Sequence, residues 1–153
     1  TRRRLSVGCM ERMYDKLLLT TDGSEESEKA VEHAKSLAEK YGAEVHILYI
    51  SDVRAQMGDP SMEFLLENLE EIGEEAVNEV AKMFPDSIDT VLENRPGVPH
   101  TEITYYIQEE DIDILCMATH GRSGLDRLLI GSTTEKVLRE SPVPVITVPL
   151  EQD

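Results

Sequence analysis

The sequence predicts an α/β fold: an open, parallel sheet of five strands, separated by four helices that cover both of its faces. Three observations lead there. Short apolar runs alternate with longer amphipathic segments from Lys16 onward. The run Ile47-Leu48-Tyr49-Ile50 is continuously apolar, as in a parallel strand buried on both faces. A chain of 153 residues with 40% hydrophobic content suits one domain with a real core.

The elements follow in order. Leu17-Leu18-Leu19 reads as the first strand and ends in the turn Thr21-Asp22-Gly23-Ser24. A helix from about Glu25 to Tyr41 places Ala30, Ala34, Leu37, Ala38 and Tyr41 on one face and stops at Gly42. Val45 to Ile50 is the second strand. A longer helix from about Ser61 to Phe84 aligns Met62, Leu65, Leu66, Leu69, Ile72, Ala76 and Val80, and Pro85 ends it. Its opposite face, with Glu67, Glu70, Glu71, Glu74, Glu75 and Glu79, reads as a solvated surface rather than a metal site.

Ile88 to Glu93 alternates as a short third strand, and Pro99 suits the first turn of a helix ending near Glu109. Ile112 to Met117 is the fourth strand, Thr133 to Glu140 the last helix, and Val143 to Val148 the final strand. Right-handed crossovers make such a βαβ series parallel. In the strand order 3-2-1-4-5 the sheet reverses direction between the first and fourth strands, and ligands bind at that crevice in such folds.

Charge and cysteine usage exclude several functions. With 31 acidic against 15 basic residues, the formal net charge of −16 repels nucleic acid and anionic lipid, so neither is expected as a partner. Cys9 and Cys116 provide no disulfide framework and no metal-ligand spacing, and Cys116 reads as a small buried thiol inside a strand. His33, His46 and His100 form no metal cluster by spacing. No apolar run approaches the ~18 residues of a membrane span, and no signal-peptide core is evident, so a cytoplasmic location is expected. Residues 1–12, which open with Thr1-Arg2-Arg3-Arg4, read as a flexible extension or an expression remnant, leaving 13–150 as the domain.

Chemistry concentrates after the fourth strand. Met117-Ala118-Thr119-His120-Gly121-Arg122-Ser123-Gly124 is followed by Gly131-Ser132-Thr133-Thr134-Glu135, with nine residues between Gly121 and Gly131. The spacing Ser132-x-x-Glu135 predicts a capping box, with helical amides directed over the strand end. Such amides and the positive end of the helix dipole attract phosphate. Gly121 and Gly131 would allow positive φ and close backbone approach. Gly and Ser also punctuate ordinary strand-to-helix loops, and Asp22 and Ser132 have alternative roles as helix caps. The dinucleotide fingerprint G-x-G-x-x-G is absent, as is a G-K-[ST] phosphate loop.

From Met13 to Pro149 the chain resembles the universal stress proteins, whose nucleotide-binding branch carries G-x-x-G, nine residues, then G-[ST]. Here the motif runs Ala118-Thr119-His120-Gly121, nine residues, Gly131-Ser132, so Ala118 replaces one glycine. Thr21-Asp22-Gly23-Ser24, Gly97-Val98-Pro99 and Pro142-Val143-Pro144-Val145 match as well. The resemblance implies a Rossmann-like fold of the adenine nucleotide alpha hydrolase type and an ATP or AMP ligand, with Mg²⁺. It implies that Asp22 contacts the ribose, Thr20 and Thr21 shape the pocket, and the Ile50 backbone reads the adenine edge. Gly121, Gly131, Ser132, Thr133 and Thr134 would hold the phosphates, with Met117, Ala118 and His120 lining the loop. If position 118 requires positive φ, alanine costs on the order of 1 kcal/mol there.

The expected function is therefore a nucleotide-binding regulatory or stress-response module with at most slow ATP hydrolysis. The alternatives are a dimeric interaction protein that has lost nucleotide, and a slow ATPase or phosphotransferase. No catalytic residue is assigned, because no nucleophile elbow or placed general base is evident. A homodimer through the final strand is expected, since exposed apolar sheet edges are commonly paired.

Overall fold

Leu17, Leu18 and Leu19 point alternately to the two faces of a sheet, and each face has its own core. Leu17 and Leu19 pack with Val45, Ile47, Ile114 and Cys116 on one face; Leu18 packs with Leu48, Leu115 and Met117 on the other. The computed structural model describes residues 13–25, 27–52, 62–118 and 131–149, with the side chains of 62–67 outside that description.

The strands are β1 (Lys16–Thr21), β2 (Glu44–Asp52), β3 (Thr90–Gly97), β4 (Ile114–Ala118) and β5 (Val145–Val148). They pair in parallel in the order β3-β2-β1-β4-β5, as expected. Leu19 of β1 lies beside Ile47 of β2 and Cys116 of β4. The helices α1 (Val31–Tyr41) and α2 (Met62–Ala81) cover the first face through Ala34, Ala38, Val77 and Val80. The second face is covered by α3 (Pro99–Glu109) and α4 (Ser132–Glu140) through Ile103, Tyr106, Ile107 and Val137.

Several boundaries differ from expectation, each for a local reason. The first helix begins with a 3-10 turn, Ser27–Ala30, because Ser24 and Ser27 hydrogen-bond the preceding loop instead of continuing helical pairing. In α2, Ile72 was expected on the core face but is 43% exposed. The buried face runs instead through Gly73, Ala76, Val77 and Val80. A Cβ on Gly73 would lie 2.2 Å from Asn94 Oδ1, so the missing side chain is what lets the helix settle on β3. Asn94 Nδ2 then donates to Glu70 O at 2.8 Å.

Strand β3 extends to Gly97 because its pairing with β2 continues to Asp52, and its edge position tolerates Pro96. Gly97 has φ 154°, and a Cβ there would meet Glu102 Cγ at 2.5 Å. That geometry turns the chain into α3, with Pro99 in its first turn. Strand β4 starts later than expected but includes Ala118. Asp113 Oδ2 accepts the amides of Asp15 and Lys16 at 2.7 and 3.0 Å, and so stitches the entry to β4 onto that of β1.

Tyr105 is exposed, whereas Tyr106 is buried and fastens α3 to β2. Its Oη lies 2.6 Å from His46 Nδ1, and His46 Nε2 lies 2.7 Å from Glu44 Oε1. Burial first, then the Glu110 and Glu93 charges, push the Tyr106 hydroxyl well above the usual tyrosine range. Cys116 is fully buried, and burial pushes its thiol up to about 12. Among the described residues no helix is long and apolar enough to cross a membrane. Among the same residues no group of three or more His, Cys, Asp or Glu is disposed to hold a metal ion.

Candidate functional site

After β1 the chain returns on one face through α1, and after β4 it packs on the other through α4. The helices that follow these adjacent strands therefore lie on opposite faces, and a cavity of about 430 Å³ opens at the strands' carboxyl ends. Its floor is apolar, formed by Leu48 and Ile50 of β2, Ile103 of α3 and Met117 of β4. Thr20, Thr21 and Asp22 line one side, and Gly131, Ser132, Thr133 and Thr134 another. The volume lies within the range of small-molecule sites, and an apolar floor with a few convergent polar groups is their usual make-up.

The start of α4 supplies backbone donors. Its first intrahelical bond runs from Glu135 N to Gly131 O at 3.0 Å, so the amides of Ser132, Thr133 and Thr134 have no acceptor within the helix. The positive end of the helix dipole adds to their attraction for an anion. Two expectations here need correction. The capping box does not form: Gly131 is the N-cap, Ser132 is the first helical residue, and no side chain caps the helix. Gly131 has φ −61° and ψ 153°, an extended conformation that any residue adopts, so positive φ is not what the glycine supplies there. Thr134 is buried and its Oγ1 donates to Ala118 O at 3.3 Å, which ties the helix start to the end of β4.

At Ala118 the condition for strain is not met. It is the last residue of β4, and among the described residues Asp111 alone of the non-glycines has positive φ. Alanine therefore carries no left-handed strain at this position, and its methyl group simply forms part of the wall.

The loop after β1 is internally bonded. Asp22 Oδ1 accepts from both the backbone N and Oγ of Ser24. Gly23 N donates to Thr21 Oγ1, and Ser27 contacts both Thr21 and Ser24. Asp22 does not cap α1, whose N-cap is Ala30. The charged groups in the wall are Asp22 and Asp52; among the described lining residues there is no Lys or Arg.

Ten residues singled out from sequence surround this one cavity: Thr20, Thr21, Asp22, Ile50, Met117, Ala118, Gly131, Ser132, Thr133 and Thr134. His120, Gly121 and Arg122 lie outside the described residues. Sequence reasoning missed Ser27, Tyr49, Asp52, Leu69 and Pro99, besides Leu48 and Ile103 of the floor. Asp52 and Pro99 could have been found, since one ends a strand and the other starts a helix on the ligand side of the sheet. Leu48, Leu69 and Ile103 read as ordinary core, and nothing in their sequence context separates a cavity floor from a packed interior.

An open parallel sheet with a cavity at the point where its strand order reverses places the chain among the doubly wound α/β proteins. More particularly, the chain belongs to the universal stress protein family, whose profile matches residues 13–149. It is 37% identical over 142 residues to universal stress protein MJ0531 of Methanocaldococcus jannaschii, covering 90% of this chain and 84% of that one. The solved structure of MJ0577 from the same organism superimposes with a TM-score of 0.83 at 32% identity, covering 92% of this chain and 99% of that one. A universal stress protein crystallised in complex with cAMP shares the fold at 23% identity and a TM-score of 0.63, covering 89% of this chain and 97% of that one.

Proposed function

We propose that this chain is a regulatory module that binds an adenine nucleotide, ATP or AMP, and signals by the bound state with at most slow hydrolysis. The observation that carries the reading is the pairing, in one cavity, of the Asp22 carboxylate with the α4 amides across an apolar floor. A base fits the floor, a ribose diol can donate to an ionised carboxylate, and phosphates suit helix amides. Family membership supports the same reading. Because Asp22 and Asp52 are the charged residues of the described wall, a triphosphate would enter with Mg²⁺, which offsets its charge. Thr20 and the Ile50 backbone would border the sugar and base, and Ser132 and Thr133 the phosphates.

Calorimetric titration with Mg·ATP and with AMP tests this directly. Micromolar binding of either is expected; absence of binding for both would remove the nucleotide reading and leave an interaction module. Steady ADP release, lost on Asp22→Asn, would instead favour the slow ATPase or phosphotransferase.

We also propose a homodimer through β5. This strand stands at the sheet edge, with Val145, Ile146 and Thr147 half-buried in the single chain. Sedimentation at micromolar concentration should give a dimer; a monomer would overturn the proposal.

A further inference from the structure

We infer that Ser24 and Ser27 are positioning residues for the Asp22 carboxylate, and that Thr21 offers the ligand no hydroxyl proton. The carboxylate so held would face the ribose hydroxyls of the nucleotide proposed above. This rests on the nucleotide reading above and extends it to how the sugar is recognised.

The hydrogen bonds of the loop admit one set of proton positions. Ser27 Oγ lies 2.8 Å from the Ser24 carbonyl oxygen, which can only accept, so the Ser27 proton goes there. The 3.0 Å contact between Ser27 Oγ and Thr21 Oγ1 must then be donated by Thr21. Thr21 Oγ1 in turn accepts from Gly23 N at 3.1 Å. On the other arm, the Ser24 hydroxyl donates to Asp22 Oδ1, and Ser24 N donates to the same oxygen at 2.9 Å. Ser24 Oγ accepts from Ser27 N at 3.2 Å. Each of the three hydroxyls donates once and accepts once, and no proton remains for another partner.

Two consequences follow. Thr21, although part of the cavity wall, has its proton committed to Ser27 and acts as a spacer between β1 and the 3-10 turn. Asp22 has one carboxylate oxygen gripped by two donors from the same residue, so it cannot rotate without breaking both. Ser27, which is 5% exposed, holds Ser24 in place by its amide and its hydroxyl. A carboxylate oriented before the ligand arrives spares the ordering cost that a free side chain would incur on binding.

The test is calorimetric titration of the full chain with Mg·ATP and with Mg·2′,3′-dideoxy-ATP. The proteins are the native form and the Ser24→Ala, Ser27→Ala and Ser24→Thr variants, each checked for native far-UV dichroism. Native protein should prefer ATP by about tenfold, a change on the scale of one hydrogen bond to a charged group. Each alanine variant should lose most of that preference while binding the dideoxy nucleotide within about twofold of native, a change too small to be a lost hydrogen bond. Ser24→Thr keeps a hydroxyl and should retain it. Equal weakening of both ligands in the alanine variants would mean a merely loosened loop and would overturn the inference, as would an undiminished preference for ATP. A native protein that binds both nucleotides equally keeps the nucleotide reading but overturns this one; binding of neither overturns both.

Discussion

Replacing Ala118 by glycine supplies the residue that the sequence resemblance leads one to expect there, and the structure makes a definite statement about the result. If the position required positive φ, the change would relieve about 1 kcal/mol or more and strengthen nucleotide binding severalfold. The residue is instead the extended end of β4, 7% exposed, with its carbonyl bonded to Thr134 Oγ1. No strain is available to relieve. The cavity of about 430 Å³ exists with the methyl group in place. Ala118→Gly should therefore alter Mg·ATP affinity by less than about threefold, or roughly 0.7 kcal/mol. Stability should fall, because the strand loses a buried methyl worth about 0.8 kcal/mol and gains backbone freedom worth about 0.5–1 kcal/mol. The sum, about 1.5 kcal/mol, corresponds to a Tm lowered by about 3–6 °C for a domain of this size. Paired calorimetric titration and thermal unfolding measure both quantities. A gain in affinity of tenfold or more would refute the argument and show that the methyl group obstructs the ligand.

Three further outcomes are expected. Tyr106→Phe leaves His46 Nδ1 without its buried hydroxyl partner and should cost about 1–3 kcal/mol in urea unfolding at unchanged slope; a loss below 0.5 kcal/mol would mean that the contact contributes little. Gly97→Ala forces a side chain into the left-handed φ of 154° and against Glu102, so a loss on the order of 2 kcal/mol is expected by the same assay. The Cys116 thiol is held up to about 12 in the folded state, so it deprotonates earlier in the unfolded chain. Its contribution is complete below the unfolded value of about 8.5 and is lost as pH rises toward 12. Stability should decline across that window, and less steeply in Cys116→Ala; identical slopes would refute the assignment. In a Cys9→Ser background, Cys116 should also resist thiol reagents at pH 8 until the protein is unfolded.

Much of the fold was legible because its signals are local. Continuous apolar runs mark strands covered on both faces, Gly42 marks a helix end and Pro99 a helix start, whereas α2 stops at Ala81, ahead of the end expected at Pro85. Five such strands in a βαβ series leave few topologies, and the order 3-2-1-4-5 was the one expected among them. The loops carrying Asp22 and Ser132 could then be placed together, because both leave the carboxyl ends of adjacent strands. Backbone conformation at individual residues was not legible in the same way. Ser132-x-x-Glu135 has the spacing of a capping box, yet the helix already starts at Ser132, and its N-cap is Gly131 in ordinary extended geometry. Ile72 satisfies the helical period, yet contact between Gly73 and Asn94 turns the helix past it.

Composition, periodicity and punctuation by themselves therefore determined a parallel α/β fold, and, given its strand order, that Asp22 and Ser132 lie at one crevice. Tertiary structure alone decided that Leu48, Leu69 and Ile103 face a cavity instead of filling it, that Ala118 is unstrained, and that three hydroxyls share one proton arrangement behind Asp22. The physical reason is range. Strand and helix signals arise from neighbours a few residues apart, whereas a cavity wall and a hydrogen-bond direction depend on which distant side chains meet once the sheet has assembled.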